Sequence, residues 1–208
     1  MPERGCQATD PAPGSVTGSA TGAARLWQGL TGLVRRLAGN RPRPAAGPPR
    51  ERPLTQGEQA LAAAVFGTAL DVRRVTVRRR KWWPFQPRRT VMAPDGHIYF
   101  HPRCPFYRED FGCAPLGLQA LFVHELTHVW QHQSGRNVAL ARGPFARYRY
   151  LPLILGKRFE EYGIEQQAEI VRHGFVLSRG GAVEGAPPLA VYRRLVPFGP
   201  GALERPLV

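Results

Sequence analysis

Cysteine is scarce in this sequence, and the few cysteines form no recognised pattern. The chain of 208 residues has three, Cys6, Cys104 and Cys113, and no two of them are spaced as CxxC. Three cysteines cannot supply the framework of a disulfide-stapled protein, and without a CxxC pair a structural zinc site built from thiolates is not expected. Cys104 and Cys113 could still pair across the loop between them, or both could remain reduced.

Long apolar runs are also missing. No stretch approaches the roughly 18 consecutive apolar residues that indicate a membrane-spanning helix. The N-terminus lacks the continuous apolar core of a secretory signal peptide. We therefore expect a cytoplasmic protein with no signal peptide or transmembrane helix, for which export by a non-classical route is possible.

Acidic side chains are few. The sequence has 15 Asp+Glu against 29 Lys+Arg, a net charge of +14, and many of the basic residues lie in DVRRVTVRRRKWWPFQPRR, residues 71–89. Such a surface attracts anions. No signature of a nucleic-acid-binding fold accompanies the charge, so we favour ordinary solubilising charge and do not expect nucleic acid as a partner.

Composition divides the chain into three parts. Residues 1–53 are crowded with Pro, Gly, Ala, Ser, Thr and Arg, which predicts a disordered arm. Within it, a leucine stripe beside arginines at 24–38 has the pattern of a basic amphipathic helix, which can contact a membrane surface. We expect a folded domain over residues 54–180 and a C-terminal extension over 181–208 that wraps its surface.

The folded part predicts a small α+β domain, because helical and strand patterns are mixed along it. Thr55 and Glu58 have the spacing of a capping box that opens a first helix. The segment KWWPFQP (81–87) could be a peptide-binding ledge or a hydrophobic plug of the sheet, and we favour the plug. The remaining predicted elements are a strand at 73–79, a hairpin at 89–102 turning at Pro94-Asp95-Gly96, a helix at 116–133 that stops before Gly135, and a helix at 160–177.

The helix at 116–133 carries the sequence His124-Glu125-Leu126-Thr127-His128. Residues four apart share one face of a helix, so His124 and His128 can ligate the same metal ion. Glu125 is turned by about 100° from His124, where a carboxylate can take the proton of an attacking water. This HExxH pattern therefore predicts one zinc ion per chain, with Glu125 as general base.

A catalytic zinc site needs a third protein ligand. His132 is too far along the helix, since eight residues separate it from His124 by about 12 Å of rise. The pattern HExxHxxGxxH is excluded, because Gln131 and Ser134 occupy its glycine and histidine positions. On the second helix, Glu165 and Glu169 lie four apart. One of these two carboxylates would ligate, and the other would accept the outer N–H of a ligating histidine.

These motifs resemble the gluzincin metallopeptidases, in which a Glu-x-x-Ala-acid pattern on a second helix follows the HExxH helix. The resemblance implies that Glu165 is the third ligand and that Glu169 orients His124 or His128. Residues 54–178 are further similar to bacterial proteins described as Vgr-related, whose zincin-like domain is found with contractile injection systems. The resemblance implies a zinc-dependent peptidase fold and an association with an injection or secretion apparatus.

From these features we expect a zinc metallopeptidase that hydrolyses a peptide bond in a protein or peptide substrate. Tyr162, Tyr148 and Arg149 are candidates for stabilising the oxyanion. The strand GHIYF (96–100) is expected at the rim of the site, paired with an extended substrate. The alternative is a non-enzymatic, zinc-stabilised adaptor or structural module of a phage-tail-like or secretion system. Glu125 favours the enzyme, because a purely structural zinc needs no base.

Overall fold

A four-stranded mixed sheet and five α-helices form the part of the chain that the computed structural model describes, residues 50–142, 147–154, 156–199 and 201–203. All of these residues belong to the unit Pro49–Val208. The amphipathic helix predicted at 24–38 lies outside the described residues. No helix among the described residues is both long enough and apolar enough to span a bilayer.

The ordered domain begins with a strand. β1 (Glu51–Pro53) pairs antiparallel with β2 (Thr76–Arg78). The predicted arm over residues 1–53 therefore ends too late. Two contacts order these residues: the distant strand β2 pairs with β1, and Arg52 binds both carboxylate oxygens of the buried Glu58 at 2.7 and 2.8 Å, which fixes β1 against the next helix.

The first helix, α1 (Gln56–Phe66), starts with the predicted capping box. The side chain of Thr55 accepts a hydrogen bond from the backbone N–H of Glu58, and the carboxylate of Glu58 accepts one from the backbone N–H of Thr55. This reciprocal pair satisfies two backbone donors that the first helical turn leaves open.

The predicted hairpin is confirmed. β3 (Val91–Met92) and β4 (Ile98–Phe100) pair antiparallel, and Gly96 turns between them at φ 86°. The sheet order is β1-β2-β4-β3, with β2 and β4 parallel. β4 therefore lies inside the sheet, and the expectation that GHIYF forms the rim is wrong, because both edges of β4 are already paired. The edge strand on this side is β3.

Two long helices form the centre of the domain. α2 (Leu116–Gln133) has the predicted bounds and is followed by Gly135 at φ 84°. α4 (Ile164–Ser178) starts later than predicted, because residues Phe159–Glu161 form a separate 3-10 turn. Their buried faces share one apolar core: Phe122, Leu126, Val129, Val171 and Phe175. A short helix, α3 (Val138–Arg142), lies between them in sequence.

The C-terminal segment contributes to the core, contrary to the predicted surface extension over 181–208. It contains α5 (Leu189–Leu195), whose Tyr192 is completely buried, as is Leu203. α5 comes close to α4 at Gly174, where an added Cβ would lie 2.6 Å from Leu203 Cδ1 and 3.2 Å from Tyr192 Cβ. Gly174 thus makes room for the C-terminal segment to pack against α4. The proline and glycine content of that segment does not reveal this packing.

Residues 81–87 do not plug the sheet. Trp82, Trp83 and Phe85 are 42%, 41% and 79% exposed, so that prediction is wrong. The buried residue of this loop is Gln86. Its side-chain oxygen accepts a hydrogen bond from the backbone of Trp82, and its amide nitrogen donates to backbone oxygens within the loop and on β4. Gln86 anchors the loop, and the aromatic side chains of the loop face outward.

Cys104 is a buried free thiol. The pairing of Cys104 with Cys113, one of the two alternatives open from the sequence, is therefore not formed.

Candidate metal centre

α2 and α4 bring three side-chain donors to one point. His124 Nε2 and His128 Nε2 are 3.2 Å apart, and each lies 3.2 Å from Oε2 of Glu165. We call these three atoms the ligand triangle. All three residues are buried. His124 and His128 are one helical turn apart on α2, and Glu165 is in the first turn of α4.

The dimensions of the ligand triangle fit a metal ion. Zinc binds imidazole nitrogen and carboxylate oxygen at about 2.0–2.1 Å in tetrahedral geometry, which requires donor atoms about 3.3 Å apart. The observed separations of 3.2 Å match this requirement without any rearrangement. A triangle of three ligands also leaves the fourth tetrahedral position open toward solvent or substrate.

The electrostatics of the cluster agree with a site for a cation. Burial alone would lower the pKa of His124, but hydrogen bonds with Glu165 and Glu169 outweigh it and raise that pKa to about 9. Burial would likewise raise the pKa of Glu165, yet its hydrogen bonds with His124 and His128 hold it far below its ordinary value. The surroundings therefore stabilise positive charge among the three donors, and a metal ion would replace the proton held there.

The outer nitrogens of both histidines have partners that orient the rings. Gln131 Oε1 lies 2.8 Å from His128 Nδ1 and, as a carbonyl oxygen, can only accept. His128 Nδ1 therefore carries the proton, and its Nε2 points a lone pair into the ligand triangle. Glu169 Oε1 lies 2.9 Å from His124 Nδ1. This contact is one of the causes that raise the pKa of His124, and it makes Glu169 the partner of the outer nitrogen of that ring.

Glu165 is held from the other side by an arginine that the sequence analysis did not single out. Arg142 Nε, on α3, lies 2.9 Å from Glu165 Oε1, the oxygen outside the ligand triangle. Arg142 Nη2 also donates to the hydroxyl of Tyr148 at 2.8 Å, and the Tyr148 ring stacks on His124. No sequence signal marks Arg142, because α3 is short and has no motif.

Glu125 is buried at the wall of a cleft of about 460 Å³ that opens over the ligand triangle. Burial raises the pKa of its carboxyl, and the neighbouring His124 and His128 oppose that rise. Other walls of the cleft come from the edge strand β3 and the residues after it, from α3, and from the rings of Trp82 and Tyr148. The cleft therefore places the carboxylate of Glu125, the ligand triangle and the edge strand β3 beside one another.

A chain of polar contacts runs from the ligand triangle to the C-terminal helix. Glu169 Oε2 lies 3.3 Å from His173 Nε2, and the hydroxyl of Tyr150 lies 2.7 Å from His173 Nδ1. The same hydroxyl is 2.7 Å from that of Tyr192 on α5. Glu169, His173 and Tyr150 therefore connect His124 to Tyr192 on α5 through successive polar contacts.

This chain is similar to a known protein in both sequence and fold. The solved effector domain of Pseudomonas aeruginosa VgrG2b is 40% identical in sequence, and the match covers 65% of this chain and 80% of that one with a TM-score of 0.56. The chain belongs to the family of the VgrG2b effector domain. The type VI secretion system spike protein VgrG2b of the same organism is 43% identical over 135 residues, which is 60% of this chain but 13% of the spike protein. No protein-family model matches the sequence.

Of the three oxyanion candidates in this VgrG2b-type domain, only Tyr148 lines the cleft. Tyr162 is buried elsewhere, with its hydroxyl accepting from the backbone N–H of Ile154 at 3.4 Å. Arg149 is exposed outside the cleft lining, and its backbone oxygen accepts from Gln166. Neither Tyr162 nor Arg149 lines the cleft, because closeness to Glu165 in sequence does not fix the direction of side chains in the irregular segment before α4.

Proposed function

We propose that this domain is a zinc-dependent peptidase of α+β, zincin-like fold, with a gluzincin-like ligand set. One observation carries the proposal: the ligand triangle has the separations of a tetrahedral zinc site, and Glu125 stands beside it in an open cleft. His124, His128 and Glu165 would hold one zinc ion per chain. Glu169 would orient His124, and Arg142 would keep the second oxygen of Glu165 away from the metal.

The proposed chemistry is hydrolysis of a peptide bond. When bound, zinc would polarise the scissile carbonyl and lower the pKa of the attacking water. Glu125 takes the proton of that water and passes it to the leaving amine, for which a buried carboxylate of raised pKa is suited. Tyr148, which lines the cleft, is the remaining candidate for stabilising the oxyanion.

The proposed substrate is a protein or peptide in an extended conformation. β3 is the edge strand that lines the cleft, so an extended chain could pair with it through backbone hydrogen bonds. This strand replaces β4 in the sequence-based proposal. The substrate backbone would then lie across the ligand triangle, with its scissile carbonyl near Glu125.

A partner of the domain would be a secretion apparatus. The matched proteins are named as a type VI secretion system spike protein and as an effector domain of it. By analogy we propose that this domain is delivered by such an apparatus, which would be an export route without a signal peptide. One of the matched proteins is a spike protein of that apparatus. This supports a second candidate function, in which the domain is an adaptor module and zinc only stabilises its fold.

The substitution Glu125→Gln tests the proposal and separates these two functions. Glutamine keeps the size and hydrogen bonding of Glu125 but cannot take a proton, so hydrolysis should fall about 10²–10⁴-fold while zinc content stays the same. The measurement is cleavage of a broad peptide library by both proteins at matched zinc content. Glu160→Gln is the matched control, because that side chain is exposed. Zinc binding without cleavage by either protein would favour the adaptor.

A further inference from the structure

Residues 79–89 combine exposed aromatic rings with positive charge. Trp82, Trp83 and Phe85 are among the six large apolar side chains that are exposed in the part of the chain the structure describes. Arg79, Arg80, Lys81, Arg88 and Arg89 flank these rings, and the segment contains no acidic residue. We call residues 79–89 the aromatic–basic loop.

The charges of this loop remain available to a partner. None of the ion pairs formed among the described residues involves Arg80, Lys81, Arg88 or Arg89. Lys81 donates to the backbone oxygen of Pro84, and Arg80 lies over a tyrosine ring, so these contacts hold the side chains without neutralising them. An anionic partner would therefore meet several unpaired cations at once.

The loop is held in an outward position. Gln86 is buried and ties the two ends of the aromatic stretch together through its hydrogen bonds with Trp82 and Thr90. Trp83 and Phe85 pack edge to face, with centroids 5.8 Å apart. The rings are thus presented to solvent by a buried polar anchor, and little ordering cost remains to be met on binding.

We propose that the aromatic–basic loop docks on the surface of an anionic phospholipid bilayer. Tryptophan and phenylalanine rings partition into the boundary between headgroups and acyl chains, and neighbouring Arg and Lys side chains attract acidic headgroups. A bilayer surface offers both an apolar layer and negative charge, which matches the composition of the loop. This proposal does not rest on the zinc site.

Two other partners fit the loop less well. An extended peptide in the cleft would contact Trp82, which lines it, but Trp83 and Phe85 are not part of the cleft lining. Single-stranded nucleic acid stacks successive bases on parallel ring faces, whereas the planes of Trp83 and Phe85 are inclined by 70°. Docking through all three rings would also bring the mouth of the cleft, through Trp82, close to the bilayer.

The experiment uses the full chain carrying Trp27→Phe, so that the remaining indoles are Trp82, Trp83 and Trp130. Trp130 packs edge-on against Phe198 with centroids 5.1 Å apart and serves as the internal background. The probe is quenching of fluorescence by brominated lipids in phosphatidylcholine vesicles with about 30% phosphatidylglycerol, compared with vesicles of phosphatidylcholine alone. We expect quenching with the anionic vesicles and at least about tenfold weaker binding without the acidic lipid.

The variant Trp83→Ser/Phe85→Ser in the same background should abolish the quenching and keep the melting temperature, because both side chains are exposed. Leu140→Ser is the matched control, since Leu140 is 79% exposed, as is Phe85. Absence of quenching with anionic vesicles would overturn the proposal. So would vesicle binding with unchanged quenching in the double variant, or loop-dependent binding to a single-stranded oligonucleotide without binding to vesicles.

Discussion

Glu169 stands behind His124 and meets three basic side chains. Its carboxylate lies 2.9 Å from His124 Nδ1, 3.0 Å from Arg172 and 3.3 Å from His173. Burial would raise the pKa of this carboxyl, but its contacts with His124 and His173 hold it well below the ordinary value. Glu169 therefore stays ionised and can fix the ring of His124.

At the residue scale, we expect Glu169→Gln to weaken zinc binding about 10–100-fold, because the partner that orients the His124 ring loses its charge. Competition with a coloured chelator measures the affinity directly and needs no activity assay. Glu184→Gln is the control, since Glu184 is an exposed glutamate. Equal zinc affinity in wild type and Glu169→Gln would show that His124 is oriented without Glu169.

At the scale of elements, Glu58 joins β1, α1 and the loop before α2. It is completely buried, binds Arg52 through both oxygens, caps α1 at Thr55, and accepts from the backbone N–H of Phe111 at 3.1 Å. A single carboxylate thus satisfies donors from three separate segments. Its removal would leave the Arg52 guanidinium, whose side chain is only 11% exposed, without its carboxylate partner.

We therefore expect Glu58→Ala to lower the free energy of unfolding by about 3–5 kcal/mol, the usual loss when one partner of a buried ion pair is removed. Denaturant unfolding monitored by circular dichroism measures the change. Glu160→Ala, at an exposed glutamate, should change the free energy by less than about 0.5 kcal/mol. A similarly small effect of Glu58→Ala would mean that Arg52 finds another partner or reaches water.

At the scale of the whole molecule, the metal site connects two helices that carry the core. Zinc bound through α2 and α4 would stabilise the folded state, because the unfolded chain has no preformed site. With free zinc about a thousandfold above its Kd the gain is about 4 kcal/mol, and each kcal/mol shifts the melting temperature by roughly 2–4 °C for a domain of this size.

Chelation of zinc should accordingly lower the melting temperature by roughly 8–16 °C. His128→Ala should melt at the same temperature with and without chelator, because it lacks a ligand. His132→Ala should respond as the wild type does, since His132 is exposed on the next turn of α2. A wild-type melting temperature that ignores the chelator would argue against a zinc site in this domain.

The sequence by itself determined the local features of this protein. The capping box at Thr55, the hairpin turn at Gly96 and the bounds of α2 follow from interactions between residues a few positions apart. The spacing of His124 and His128 also sufficed to place both imidazoles on one helix face, because helical geometry fixes residues four apart. Each of these predictions depends on the backbone within one or two turns.

Only the tertiary structure decided which distant groups surround that helix face. Arg142 on α3 contacts Glu165 on α4. β3 is the edge of the sheet because β4 pairs on both sides. Tyr162 is directed away from the cleft, and Tyr192 from the C-terminal segment enters the core. These outcomes depend on how segments of the chain pack across long separations in sequence. No periodicity or short motif encodes that packing, because it arises from complementary volumes and from the pairing of buried polar groups.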